Sequence, residues 1–140
     1  MTQEDKELLL KDLCARLPYN VICQVEFKEN GKYNSKVMLL SGIFTDEAYF
    51  TTKGGSIYSN EYKPYLFPIS SMTEEQEDEW YEVFVDPLSK KLDRHTRQEG
   101  LQLQADSQVF GIEYLLKNHF DIYGLIPMGL AIDATNLNIY

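Results

Sequence analysis

The stretch Tyr62-Lys-Pro-Tyr-Leu-Phe-Pro-Ile-Ser-Ser-Met-Thr-Glu-Glu-Gln-Glu-Asp-Glu-Trp-Tyr-Glu-Val-Phe84 marks where the chain changes character. Pro64 and Pro68 fix φ at two places and hold Lys63 and Phe67 extended, so the entry is stiff and non-helical. A helix starts directly after it. Ser71 with Glu74, or Thr73 with Gln76, can form the reciprocal bonds that satisfy its first orphan amides. Glu74, Glu75, Glu77 and Asp78 follow, where the helix dipole favours negative charge. Met72, Gln76, Trp80, Val83 and Phe84 fall along one side, and Trp80 is expected to anchor this helix onto a sheet. Asp86-Pro87 ends it.

Upstream, the pattern alternates in short runs. Val21, Cys23, Val25 and Phe27 share one face of a strand over Val21–Lys28, with Gln24, Glu26 and Lys28 on the other. Asn30-Gly31 is a strong hairpin signal. A second strand, about Ser35 to Thr45, is apolar on both faces and therefore central, and Gly42 within it suggests a bulge. Ala48–Thr52 and Ile57–Ser59 complete an antiparallel meander of about four strands. Ahead of them, Thr2 and Asp5 cap a helix to Leu17 whose apolar side carries Leu9, Leu10, Leu13, Cys14 and Leu17. Pro18 stops it.

Downstream, two or three helices are expected. Asp106 or Ser107 caps one that turns Val109, Phe110, Ile112, Leu115 and Leu116 inward. Residues 120–140 read as a short helix or turn and then an extended tail. The class is α+β, in one domain of 140 residues with an exposed excursion at 88–105.

Composition narrows the partners. A net charge of −9 opposes binding to a phosphate backbone, which needs clustered Lys and Arg, and opposes an anionic membrane surface. Ten tyrosines and seven phenylalanines are ample for a core. The polar, acidic start lacks the apolar run of a signal peptide, so a cytoplasmic protein is expected. Cys14 and Cys23, both on apolar faces, are expected to be buried free thiols.

Few residues invite chemistry. The acids from Glu74 to Glu82 lie along a helix and read as a solvated face rather than as convergent metal ligands. His119 and Asp121 stand two apart after a helix and are the candidate pair for an enzyme, while His95 lies in the excursion. With only two histidines and no recognised ligand spacing, neither a metal nor another cofactor is expected. Gly54-Gly55 lacks the Gly-Lys-Ser/Thr of a phosphate loop. Tyr62, Tyr65 and Phe67, flanking the prolines, could form a docking surface, since aromatic residues concentrate binding energy at interfaces. Lys90, Lys91, Arg94 and Arg97 either fold back over the acidic helix as ion pairs or dock an acidic partner.

Three pieces carry a resemblance: Leu17-Pro18-Tyr19 leading to Cys23, Lys63 through Gln76, and Asn118-His119-Phe120-Asp121 through Gly124 to Gly129-Leu130-Ala131. They resemble a family of short uncharacterised proteins from Bacteroides-type gut bacteria and their phages or mobile elements. The resemblance implies a cytoplasmic accessory protein and supplies no catalytic residues. A non-enzymatic protein–protein interaction module with an unknown protein partner is the leading expectation. An acidic inhibitor or regulator that mimics nucleic acid is the alternative, followed by a small enzyme using His119 and Asp121.

Overall fold

The computed structural model describes residues 2–44, 47–84 and 111–140, with 81–84 described at the backbone. The first helix, α1 (Gln3–Arg16), opens on the expected capping box: the Asp5 amide donates to Thr2 Oγ1 at 3.0 Å and the Thr2 amide donates back to Asp5 Oδ2 at 3.2 Å. A single 3₁₀ turn, Leu17–Tyr19, holds Pro18 and leads into the sheet.

The strands are β1 (Ile22–Glu29), β2 (Lys32–Ile43), β3 (Ala48–Thr52), β4 (Gly55–Ser59), β5 (Glu61–Leu66) and β6 (Ile132–Asp133). Asn30 and Gly31 both take positive φ, at 51° and 79°, the conformation a two-residue hairpin of matching twist requires. The register between β2 and β3 slips between Leu40 and Gly42, which is the expected bulge.

The sheet is larger than a four-stranded meander. Its order is β4-β3-β2-β1-β5-β6, and the last pair is parallel. The proline stretch itself supplies β5, which sits beside β1 with Pro64 opposite Cys23. Proline is tolerated there because β6 reaches only Tyr65 and Leu66, so β5 pairs on one side at Pro64.

Only Asn60 separates β4 from β5, yet β3, β2 and β1 lie between them in the sheet. The sheet must therefore curl until its two ends approach. Ser59 pins the corner: its hydroxyl donates to the Glu26 carbonyl of β1 at 2.6 Å and accepts from the Glu61 amide at 3.1 Å.

The core fills the inside of this curl. Leu9 and Leu13 of α1 meet Val21, Cys23, Val25, Leu40 and Phe50 from the strands, with Leu66, Leu125 and Leu130 from later segments. The buried stripe of α1 is Leu9, Asp12, Leu13 and Arg16, so the helix is rotated from the expected Leu-Cys stripe. Cys14 is exposed, which corrects its expected burial, whereas Cys23 is buried as its strand face implied.

The second helix, α2 (Glu74–Phe84), starts on the Thr73–Gln76 box: the Thr73 amide donates to Gln76 Oε1 at 2.9 Å and the Gln76 amide donates to Thr73 Oγ1 at 3.2 Å. Ser71 instead turns its hydroxyl to the Pro68 carbonyl at 2.6 Å. Trp80 is half-buried and lies outside the core, lining a groove with Ile69, Met72, Glu77 and Leu115. Leu115, on the neighbouring helix, shares that groove with it. That helix is described over 111–117, where Leu116 is buried and Ile112, expected inside, is exposed. Tyr114 on it donates its hydroxyl to Glu79 of α2 at 2.8 Å. The expected cap at Asp106 or Ser107 lies outside the described residues, as do the end of α2 at Asp86-Pro87 and the excursion at 88–105.

Candidate functional site

His119 and Asp121, the candidate catalytic pair, flank Phe120 in the turn beside β5. The chain turns sharply at His119, whose φ is 64°, and then runs beside β5: the Phe67 amide donates to the His119 carbonyl and the Asp121 amide donates to the Phe67 carbonyl, each at 2.8 Å. The Asp121 carboxylate accepts from two backbone amides, Leu125 at 2.8 Å and Ile126 at 3.0 Å, and so organises the turn toward Gly129. The His119 ring stacks on Tyr140 with centroids 3.6 Å apart. Among the described residues no hydrogen bond joins His119 to Asp121. Burial, assisted by the positive charge of Arg16, lowers the His119 pKa to about 4, which keeps the imidazole neutral at ordinary pH.

Beneath this turn lies a polar group that periodicity did not reveal. Arg16 grips Asp12 with two bonds, Nε to Oδ2 at 2.7 Å and Nη2 to Oδ1 at 3.0 Å, and both side chains are fully buried. The same Nη2 donates to the Phe120 carbonyl at 2.5 Å. Desolvation raises the Asp12 pKa, opposed by the bond and charge of Arg16. An Asp and an Arg four apart on the line that also carries Leu9 and Leu13 is the signal that could have shown it. These contacts fasten α1 to the last turns: Asp12 orients the guanidinium, whose Nη2 holds the Phe120 carbonyl, while Nη1 stays buried without a partner among the described residues.

The aromatic residues of the proline stretch pack inward. Tyr65 is buried, Tyr62 rests on the core with its ring 5.3 Å from Phe50, and Phe67 lies between Phe120 and Tyr140 at 6.3 and 5.9 Å. Lys90, Lys91, Arg94 and Arg97 lie outside the described residues, as does His95.

A different aromatic group faces outward. Phe44, Tyr49 and Tyr58 gather on the outer side of β3 and β4, with the Tyr58 ring 5.6 Å from Phe44 and 4.9 Å from Tyr49. Phe44 is 56% exposed and Tyr58 is 58% exposed. Strand alternation explains the placement: Phe50 and Ile57 pair on the inner face, so Tyr49 and Tyr58 must pair on the outer one. Tyrosines on the polar side of two short strands were the available sign.

Tyr58 also borders a gap in the curled sheet. Among the described residues β4 pairs only with β3, and β1 beyond Glu26 pairs only with β2. Between these two free edges runs an open cleft of about 640 Å³, lined by Tyr58, Tyr33, Lys28 and the carboxylates of Glu26, Glu47 and Glu61. A second opening of about 320 Å³ continues along the same gap between Phe27 and Ile57. Glu26 and Glu61 stand directly opposite each other on β1 and β5, both exposed, a like-charge pairing that sheets disfavour. Lys63 lies on the same face opposite Gln24, and Lys28 rests its ammonium 5.5 Å from the centre of the Tyr33 ring. Among the described residues the one ion pair is Asp12–Arg16, so none of these carboxylates is neutralised by a contact.

Among the described residues no group of three metal-ligating side chains converges, and no helix is long and apolar enough to cross a membrane. Set against protein-family models, curated proteins and solved structures, this chain matches none of them.

Proposed function

We propose that this protein is a non-enzymatic interaction module that docks another protein through the outer face of β3 and β4. The exposed Phe44–Tyr49–Tyr58 group carries the reading. Aromatic side chains left in water cost solvation free energy that burial in a partner recovers, and they do so with few rotamers to freeze. The engagement of His119 and Asp121 in backbone and ring contacts supports a non-enzymatic role. The protein acts in the cytoplasm as an accessory factor, as the resemblance to proteins of Bacteroides-type bacteria and phages implies.

Site-specific photo-crosslinking in the native host tests this. A benzophenone side chain at Tyr58 should yield a discrete protein adduct that the same group at exposed Gln3 does not, and Phe44→Ser with Tyr49→Ser should remove it. Identical adducts from both positions defeat the proposal. Capture of a nucleic-acid-binding protein from Glu75 on α2, with none from Tyr58, supports the nucleic-acid-mimicking alternative instead.

A further inference from the structure

We infer that the gap between β4 and β1 receives an extended, basic segment of a partner protein, which adds as a strand to the β4 edge. This rests on the docking role proposed above and names the ligand chemistry. Three independent observations lead to it.

The first is the edge. Folded proteins guard free strand edges with charge, proline or a covering element. Gly55–Ser59 contains neither a charged residue nor a proline, and β3 is its sole strand partner among the described residues. An unguarded edge beside a cleft is the usual receiver of a peptide strand, whose main chain supplies the hydrogen bonds.

The second is charge. Glu26 and Glu61 oppose each other across β1 and β5, and Glu47 opens onto the same cleft. Nothing in the fold requires this repulsion, and a Lys or Arg side chain lying between the carboxylates relieves it. The third is the pair of exposed rings, Tyr33 and Tyr58, on the walls of the cleft. Tyrosine faces attract cations, as Lys28 already demonstrates over Tyr33. Carboxylates and aromatic faces together select a basic side chain, and the edge selects an extended backbone.

The probe is a short fluorescein-labelled peptide of alternating lysine and valine, compared with its glutamate–valine and serine–valine counterparts by fluorescence anisotropy. Amide hydrogen exchange of the bound and free protein locates the contact. The lysine peptide should bind about tenfold or more tighter than either counterpart, more weakly as salt rises, and should protect amides in 55–59 and 27–29. Glu26→Gln with Glu61→Gln should weaken it by about tenfold while raising the thermal midpoint, so a folding failure is not mistaken for lost binding. Equal binding of all three peptides, with the same amides protected, overturns the charge selection and leaves the docking face standing. No protection along β4 with any peptide, while the Tyr58 crosslink to a host protein persists, overturns the strand addition but not the proposed function. Loss of both ends both. Self-association in sedimentation that Tyr58→Ser abolishes assigns the edge to a second copy of the chain and also overturns the inference.

Discussion

Arg16, the last residue of α1, donates through Nη2 to the carbonyl of Phe120 at 2.5 Å, across a separation of 104 residues. One guanidinium thus holds the carboxylate of its own helix and the backbone of a distant turn. Removing it as Arg16→Ala leaves Asp12 uncompensated in the core and the Phe120 carbonyl unpaired. The expected loss is about 3–5 kcal/mol by urea denaturation. Asp12→Leu with Arg16→Met should lose less than either single change. If the double variant is as unstable as Arg16→Ala, charge pairing is not what holds the helix.

Tyr140 makes a second fastening. Its hydroxyl accepts from the Ile22 amide at 2.8 Å and donates to the Tyr65 carbonyl at 2.9 Å, joining the tail to β1 and β5. Tyr140→Phe keeps the stack on His119 and deletes both bonds, with an expected cost of about 1–3 kcal/mol. Equal chemical-denaturation midpoints for Tyr140→Phe and the parent would show that water replaces the hydroxyl without loss.

The buried imidazole gives stability a pH dependence of definite sign. His119 titrates near 6.5 when unfolded and near 4 in the fold. As pH falls through that window the unfolded chain takes up the proton first, so the contribution is complete above the unfolded value and is lost toward the folded one. Asp12, raised by burial, acts with the opposite sign, so the parent must be compared with His119→Asn. Asparagine does not titrate and tolerates the left-handed backbone at this position. The variant should show a flatter rise of urea midpoint between about pH 4 and 6.5. A slope equal to that of the parent would assign the dependence to other groups.

The two thiols should separate cleanly. Cys14 is exposed and Cys23 is buried, with desolvation pushing the Cys23 thiol up. A thiol reagent should therefore modify Cys14 in the native protein and reach Cys23 only on denaturation. Rapid reaction of both would mean that β1 opens on the timescale of labelling.

Trp80 lines a groove between helices, whereas Leu13 is fully buried against the sheet. Leu13→Ala should cost about 2–5 kcal/mol, and Trp80→Ala less than that despite the larger side chain removed. The reverse order of denaturation midpoints would place the tryptophan in the core.

Local signals were legible in the sequence, and long-range pairing was not. The Thr2–Asp5 and Thr73–Gln76 boxes, the Asn30-Gly31 turn and the Gly42 bulge are each decided by residues a few positions apart. The extended entry held by Pro64 and Pro68 is legible, but its place as a fifth strand is not, since prolines argue against a ladder and only the partial reach of β6 makes room for Pro64. The Asp12–Arg16 pair was hidden because charged residues on a helix are assigned to water until a third partner, here Phe120, is known. The outward tyrosines of β3 and β4 were lost among ten tyrosines, since ring burial depends on sheet curl rather than on composition.

The parallel pairing of β5 with β6 also dictates an order of assembly. The antiparallel strands β1 to β4 meet through short loops and can zip in sequence, after which β5 closes back onto β1. β6, the Phe120 carbonyl and Tyr140 stand far along the chain from the segments they join, and closing such distant contacts is slow. Until then the charges of Asp12 and Arg16 remain hydrated at the open mouth of the core. A half-assembled fold therefore has a wet helix end, and the segment from Phe120 to Tyr140 is the latch that dries it.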